Sequence, residues 1–348
     1  MRVTGVGMAL LAAVLFGAST PLAKGLLRDS SPQLLAGLLY LGSGAGLLLV
    51  SLVRRGKTQR EAALSRRDVP WLAGAIALGG FVGPLLLMYG LVHAPASSAS
   101  LLLNLEGVFT SLIAWAVFRE HVPLRIALGM VAIVAGGLLL SWDGHVAWGS
   151  LGGPLAIAGA CLCWAVDNNL TQRVSAGDPV QIAQLKGLVA GAVNTGLGLS
   201  LGARLPDPFP VAAALLVGFL GYGVSLVCFV LALRGLGTAR TGAYFSLAPF
   251  IGAALGLFLY REPVTPLFLA AAALMALGLW LHLSERHEHS HTHELFEHTH
   301  AHRHDEHHRH AHGPGDPLTE PHTHPHRHDR LAHSHPHYPD IHHRHGHS

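Results

Sequence analysis

The sequence predicts an all-α polytopic membrane protein, with ten transmembrane helices in two inverted five-helix repeats and a disordered His-rich C-terminal tail. Half of the residues are hydrophobic and 12% are charged. Long apolar runs recur between short polar breaks, and one half of the chain resembles the other. Of the 27 histidines, 24 lie at or beyond His282, so the tail differs in composition from the apolar body.

The apolar runs are long enough to cross a bilayer, because a hydrocarbon core of about 30 Å needs roughly 20 helical residues. Nine breaks separate the runs: Arg28-Asp29, Arg54 to Asp68, His93 to Pro95, Arg119-Glu120, Asp143-Gly144, Arg173 to Asp178, Arg204 to Pro208, Arg234 to Arg240 and Arg261-Glu262. They leave spans at 3–27, 32–53, 69–93, 96–118, 123–141, 149–173, 179–203, 210–234, 238–260 and 264–283. The first run is interpreted as a span and not as a cleaved signal, because its removal would spoil the duplication.

Lys and Arg are unequally divided between the two sets of breaks. With the N-terminus inside, the cytoplasmic breaks carry eleven of these residues, and the outer breaks carry Lys24, Arg28, Arg204 and Arg261. Positive residues are retained on the cytoplasmic side of membrane proteins. The sequence therefore predicts a multi-pass protein of the cytoplasmic (inner) membrane with both termini in the cytoplasm.

The chain aligns with itself at an offset of 142 residues, which pairs 102–122 with 244–264. Arg119-Glu120 then matches Arg261-Glu262, and an offset of 147 superposes Ser31-Pro32 on Asp178-Pro179. The predicted repeats are 1–141 and 149–283, with the tail at 284–348. Because five is odd, the two copies enter the membrane in opposite directions, an arrangement typical of carriers that alternate access to a site near the midplane.

These motifs resemble the drug/metabolite transporter superfamily, EamA group. The resemblance is carried by the Ser-Pro or Asp-Pro that opens the second helix of each half, by the turns Leu105-Glu106-Gly107 and Leu247-Ala248-Pro249, and by the paired Arg-Glu. It covers residues 1–283 and implies a small-solute carrier, since many members export amino acids or other metabolites. The Arg often found early in the second helix is Leu39 in the first copy and Lys186 in the second. The resemblance therefore does not identify the substrate.

Glu106 is the ionisable residue nearest the middle of a predicted span. It follows Asn104 closely, and its counterpart in the second half is Ala248. Ionisable groups inside membranes are costly and usually functional. Two interpretations stand: a carboxyl kept protonated or hydrogen-bonded to a neighbouring helix, or a proton-coupling or substrate-ammonium site.

Asp167 and Lys186 are predicted to lie at equal depth on consecutive antiparallel helices, both about 10 Å from the cytoplasmic end at 1.5 Å per residue. An ion pair between them would be either structural or part of a gate or binding site, with Asn168 available to satisfy spare donors and acceptors. Tyr244 is a further candidate for a pocket, although packing would also explain it.

The tail is predicted to be disordered, because it has too few hydrophobic residues to build a core. Its His-x-His pattern suits Zn, Ni, Co or Cu ions, which neutral imidazoles bind well. The candidate ligands are His287, His289, His291, His293, His298, His300, His302, His304, His322, His324, His326 and His328.

Catalysis is not predicted. The HExxH pattern at His287–His291 has meaning only on a packed helix, and in a His-rich tail it is expected by chance. The leading hypothesis is a secondary transporter that exports a small organic metabolite or drug-like solute by alternating access, with a metal-binding tail and no required cofactor. The alternatives are a divalent metal (Zn, Ni or Co) efflux carrier that uses the tail as feeder or sensor, and a non-transport metal-storage or partner protein. The predicted partners are a small-molecule substrate and the lipid bilayer, with a homodimer left open and no nucleic acid.

Overall fold

The structure, a computed structural model, describes residues 5–54, 64–118, 124–141, 151–174 and 178–284, and four short segments of the tail. The helices are α1 (Gly5–Leu26), α2 (Pro32–Arg54), α3 (Val69–Ala75), α4 (Gly83–His93), α5 (Ala96–Leu102), α6 (Leu105–Phe118), α7 (Leu124–Leu140), α8 (Gly152–Val174), α9 (Pro179–Ser200), α10 (Pro208–Gly218), α11 (Ser225–Phe245), α12 (Ala248–Tyr260) and α13 (Pro266–Leu283). Two π-helical segments, π1 (Ile76–Val82) and π2 (Phe219–Val224), join α3 to α4 and α10 to α11.

The bounds of eight of the predicted spans agree with helix ends to within three residues. Proline explains many of the starts, because its missing N–H is not needed in the first helical turn. Asp178 caps α9 by accepting a hydrogen bond from the Val180 N–H (2.8 Å), and Thr265 caps α13 by accepting one from the Phe268 N–H (3.1 Å). These ends are therefore set by local sequence.

The predicted break at Arg234 to Arg240 is wrong. Helix α11 continues through it, and the chain leaves the helix only at residues 246–247. In the first repeat the matching break contains Pro95, which cannot donate a backbone hydrogen bond, and α4 ends at His93. At the offset of 142, Gly237 replaces this proline. Gly lowers helix stability, but neither Gly nor Arg prevents the backbone hydrogen bonds of a helix.

The helical body is that of a polytopic membrane protein. Among the described residues, five helical stretches are long and apolar enough to cross a bilayer: 5–26, 32–53, 69–93, 96–117 and 208–232. Helices α7, α12 and α13 are apolar but shorter. Helices α8 and α9 have 23 and 22 residues, and they carry Asp167 and Lys186. The total of ten spans stays a prediction.

The two π-helical segments lie at equivalent positions of the predicted repeats. Gly79 in π1 and Gly221 in π2 are separated by the same offset of 142 that aligns the sequences. A π-helical segment is rare and often marks a functional site, because it redirects backbone carbonyls that an α-helix would satisfy.

Helix α2 packs closely on α9 through glycines. A Cβ at Gly187 would lie 2.5 Å from the Gly44 nitrogen, and a Cβ at Gly191 would lie 2.5 Å from the Leu41 nitrogen. A four-residue spacing of small side chains favours such close approach in membranes. The largest fully buried apolar side chains come from α2, α4, α5, α8 and α13: Leu34, Leu35, Leu39, Leu87, Met88, Leu91, Leu101, Leu102, Ile157 and Met275. The core is therefore shared by both repeats.

The four described segments of the tail are strands: β1 (Glu288–Thr292), β2 (Phe296–His302), β3 (His322–His328) and β4 (Ala332–Pro336). They form two antiparallel ribbons, β1 with β4 and β2 with β3. This differs from the predicted disorder. Alternation of His with Thr, Ser or Glu has the two-residue period of a strand. His287, His293 and His304 lie outside the described residues.

Candidate substrate and coupling site

The carboxylate of Glu106 lies where the two repeats meet. Glu106 is in the first turn of α6, just after the turn at Leu103-Asn104 that separates α5 from α6. Its Oε1 accepts a hydrogen bond of 2.6 Å from the Asn168 amide on α8 of the second repeat. The first turn of a helix carries partial positive charge and favours a carboxylate. Glu106 is half-buried and Asn168 is exposed.

The residue after Glu106, Gly107, is exposed and has open space beside it. A Cβ built on Gly107 would meet no atom within 4 Å. Two glycines of π1 are in the opposite situation: a Cβ on Gly79 would overlap the Asp167 carboxylate, and one on Gly80 would lie 2.7 Å from the Ala190 Cβ. The start of α6 therefore has room that the packed π1 segment does not have.

Asp167 and Lys186 form the predicted ion pair. The Lys186 Nζ lies 2.7 Å and 2.8 Å from the two Asp167 oxygens and 3.2 Å from the Thr171 hydroxyl, which itself donates to Asp167 (2.9 Å). The Lys186 and Asp167 side chains are 11% and 8% exposed. Each charge is thus compensated inside the second repeat.

Side chains from both repeats bind the carbonyls of π1. The Gly79 oxygen accepts hydrogen bonds from the Tyr40 hydroxyl (2.7 Å) and the Trp164 indole N–H (3.0 Å). The Gly80 oxygen accepts one from the Asn194 amide (2.9 Å). These bonds satisfy carbonyls that would otherwise lack partners inside the membrane. The sequence did not predict this network, although Pro84, which has no N–H to donate, lies five residues after Gly79 and four after Gly80.

Aromatic rings form a chain that links both repeats. Tyr222 of π2 lies 5.3 Å from Tyr40 and 6.1 Å from Phe16 between ring centroids. Phe245 lies 5.5 Å from Phe16 and 4.8 Å from Phe229. The Tyr40 hydroxyl also donates to the Gly79 carbonyl, and Gly79 lies against the Asp167 carboxylate. The Tyr40 end of this chain of rings is therefore close to Asp167.

Two of the predicted site residues, Asn104 and Tyr244, have surroundings separate from the Glu106–Asn168 hydrogen bond. The Asn104 amide donates to the Leu101 carbonyl (2.8 Å) at the end of α5, so it closes a helix terminus. Tyr244 is half-buried near the end of α11. Within the described part of the chain, neither forms a hydrogen bond with Glu106. No group of three or more His, Cys, Asp or Glu side chains in that part could hold a metal ion.

This architecture of two similar helical halves can be compared with known proteins. The EamA-like transporter family matches the chain twice, over residues 3–142 and 151–284. The chain belongs to the EamA-like transporter family. The match confirms the resemblance predicted from the motifs, and membership makes the protein a membrane transporter. The EamA family is one of transporters and not of enzymes.

Relatives of this EamA chain come from archaea and bacteria. It is 28% identical over 279 residues to an uncharacterized transporter of Methanothermobacter thermautotrophicus, covering 75% of this chain and 81% of that one. It is 23% identical over 275 residues to the uncharacterized transporter YyaM of Bacillus subtilis, covering 76% and 88%. It is also 29% identical over 140 residues to the pseudopaline exporter CntI of Pseudomonas aeruginosa, covering 39% of this chain and 46% of that one.

A solved crystal structure has the same fold as this EamA protein. The TM-score is 0.61 with 19% sequence identity, and the similarity covers 81% of this chain and 99% of the other. At this identity the comparison informs the fold alone.

Proposed function

We propose that the protein exports a small organic solute that carries an ammonium group, and that Glu106 binds this group or a coupled proton. The observation that carries the proposal is the Glu106 carboxylate, which lies between the repeats with a neutral amide as its hydrogen-bond partner. Alternating access requires a site that both halves contact. Glu106 on α6 and Asn168 on α8 meet this requirement.

The charge balance supports a cationic group. Of the described residues near the site, Glu106 and Asp167 are acidic, and Lys186 neutralises Asp167 in an ion pair. One negative charge remains for a substrate or a proton. The rings of Tyr40 in α2 and Tyr222 in π2, with centroids 5.3 Å apart, would contact the apolar part of such a solute or its cation.

The exposure of the Glu106–Asn168 pair supports an aqueous cavity. A carboxylate and an amide facing lipid would be costly, since hydrocarbon offers no hydrogen bonds. Gly107, the next residue in the chain, is also exposed and has open space beside it. A cavity beside the start of α6 therefore accounts for both features. Export, not import, is supported by the name of one relative, the pseudopaline exporter.

Thermal stabilisation of the purified protein tests the substrate class. We expect primary amines and amino acid amides to raise the melting temperature, and matched neutral or acidic solutes and metal salts to leave it unchanged. A ligand at about 100 times its Kd stabilises by about 2.7 kcal/mol. The matched control is Glu106→Gln, which keeps the size of the side chain and should abolish the shift. Stabilisation by acidic solutes, or an undiminished shift in Glu106→Gln, would contradict the proposal.

The His-rich tail is proposed to bind metal without forming the transport site. Truncation after Ser284 removes 23 of the 27 histidines and none of the predicted spans. We expect the truncated protein to insert and to keep its amine-induced stabilisation, while losing most of its Zn and Ni binding at pH 7. Equilibrium dialysis of both proteins measures this. In the full-length chain, metal binding should weaken as the pH falls below about 6.5, where free imidazole becomes protonated.

Two results would favour metal efflux instead. One is loss of amine-induced stabilisation on truncation, and the other is metal tolerance of cells that depends on the tail. Undiminished Zn binding by the truncated protein would show that the ligands lie in the body.

A further inference from the structure

We infer that Lys24 and Glu262 form a gate that holds one end of the transporter closed by capping the two helix ends at the Ala94-Pro95 turn. This turn joins α4 to α5 at the end of the bundle that the Lys and Arg distribution predicts to be external. We call Lys24, Glu262 and the turn 94–97 the latch. The inference rests on the transporter class and not on the proposed amine substrate.

Glu262 caps the start of α5. Its Oε1 accepts a hydrogen bond of 2.7 Å from the Ala96 N–H, and its Oε2 accepts one of 3.0 Å from the Ser97 N–H and another from the Ser97 hydroxyl. The N-cap position is Pro95, which has no side-chain acceptor. The acceptor for the free N–H groups of α5 is therefore Glu262 in the other repeat, which is 166 residues after Ala96 and 165 residues after Ser97. An anion at a helix N-terminus is also favoured by the helix dipole.

Lys24 caps the end of α4. Its Nζ donates to the Leu91 carbonyl (2.8 Å) and to the Ala94 carbonyl. These are carbonyls of the last turn of α4 and the residue after it, which lack intrahelical partners and attract a cation. The two ends of one short turn are thus held by opposite charges, one from α1 and one from the residue pair that follows α12.

The backbone at Arg261 directs Glu262 to this position. Arg261 ends α12 in the left-handed region, with φ of 50°. A residue with a Cβ adopts this conformation at some cost, and glycine is the usual choice at such a helix end. A further bond of the same region, from the Tyr260 hydroxyl to the Pro21 carbonyl (2.7 Å), ties α12 to α1.

The helices below the latch are in close contact. A Cβ at Gly256 would lie 2.8 Å from the Ser97 nitrogen, and one at Gly252 would lie 2.8 Å from the Ser100 hydroxyl oxygen. Ser97 and Ser100 are 2% and 1% exposed. Access from this end requires α12 to move away from α5, and that movement breaks the Glu262 hydrogen bonds. The latch therefore stabilises the state that is closed at this end relative to the state that is open there.

Cysteine accessibility tests the latch without any transported solute. In a chain with Cys161, Cys163 and Cys228 replaced, Ser100→Cys places a near-isosteric reporter in the α5–α12 contact. A membrane-impermeant methanethiosulfonate is added to intact cells, and the labelling rate is measured with Glu262 intact and in Glu262→Gln. We expect Glu262→Gln to speed labelling about fivefold to tenfold, the effect of losing a helix cap with a charged acceptor.

The matched control is Asp207→Asn. Asp207 is exposed, lies at the same predicted end and occupies the N-cap of α10 without a side-chain cap hydrogen bond. This variant should label at the parent rate. Lys24→Met breaks the α4 contacts alone, and Ser97→Ala removes only the hydroxyl contact. Both variants should raise the labelling rate by less than Glu262→Gln does. If the Glu262→Gln protein does not accumulate, these two variants are used to test the latch instead.

Labelling at the parent rate in the Glu262 and Lys24 variants would overturn the latch, as would an equal increase in Asp207→Asn. Labelling of the reporter from inverted vesicles only would overturn its assignment to the external end. Because the measurement uses no substrate, none of these outcomes tests the proposed amine substrate. That proposal is tested separately by thermal stabilisation.

Discussion

Transport of the amine that best stabilises the protein is expected to fall roughly 100-fold in Glu106→Gln, while insertion and melting temperature stay close to those of the parent. The variant keeps the hydrogen bond that Asn168 donates, because the Gln oxygen can accept it. It removes the charge that a bound ammonium or a coupled proton needs. Loss of a buried charged partner is worth about 3 kcal/mol, which corresponds to about 100-fold in rate.

Uptake into inverted vesicles, measured across a range of pH, checks this expectation. If Glu106 carries the coupled proton, residual transport by Glu106→Gln should be independent of pH. The comparison variant is Asn168→Ala, which removes the neutral partner and leaves the carboxylate, so its loss should be smaller. Parental rates with parental pH dependence in Glu106→Gln would show that the carboxylate has only a structural role.

Neutralising Asp167 or Lys186 alone is expected to destabilise the protein by about 3–5 kcal/mol, because each substitution leaves the other charge buried without its partner. Neutralising both, as in Asp167→Asn with Lys186→Met, should restore part of this loss. The pair is suited to the test because both side chains are about nine-tenths buried and no other acidic side chain contacts Lys186 in the described part of the structure.

Unfolding in mild detergent, followed for the two single variants and the double variant, gives the coupling free energy. Thr171→Val is the matched control, since it removes a hydroxyl contact to both residues and neither charge, and it should cost about 1 kcal/mol. Additive losses in the double variant would mean that the ion pair contributes nothing that its members do not contribute separately.

Local signals allowed much of the helical body to be predicted. Prolines and charges mark where α2, α9 and α13 begin, and equal depth on neighbouring helices was enough to pair Asp167 with Lys186. The wrong break at Arg234 to Arg240 has the same origin, because charged residues predict a break there although no proline interrupts the backbone of α11.

What the sequence could not show depends on contacts between distant residues. The bond from Trp164 to the Gly79 carbonyl spans 85 positions, and the bond from Glu262 to the Ala96 N–H spans 166. In neither bond do the donor and the acceptor belong to one recognisable sequence motif. Two π-helical segments likewise have no sequence signature beyond their glycines, although the repeat offset relates them once one is known.

The polarity of α8 and α9 also affects how these helices insert into the membrane during synthesis. Neither helix is among those apolar enough to enter a bilayer on its own account, and their charged residues lie 19 positions apart on adjacent helices. During synthesis Asp167 emerges first, and its compensating ammonium follows one helix later. Insertion of α8 alone would carry an unpaired charge into lipid. We therefore expect α8 and α9 to insert together as one hairpin, with the charge of Asp167 compensated by Lys186.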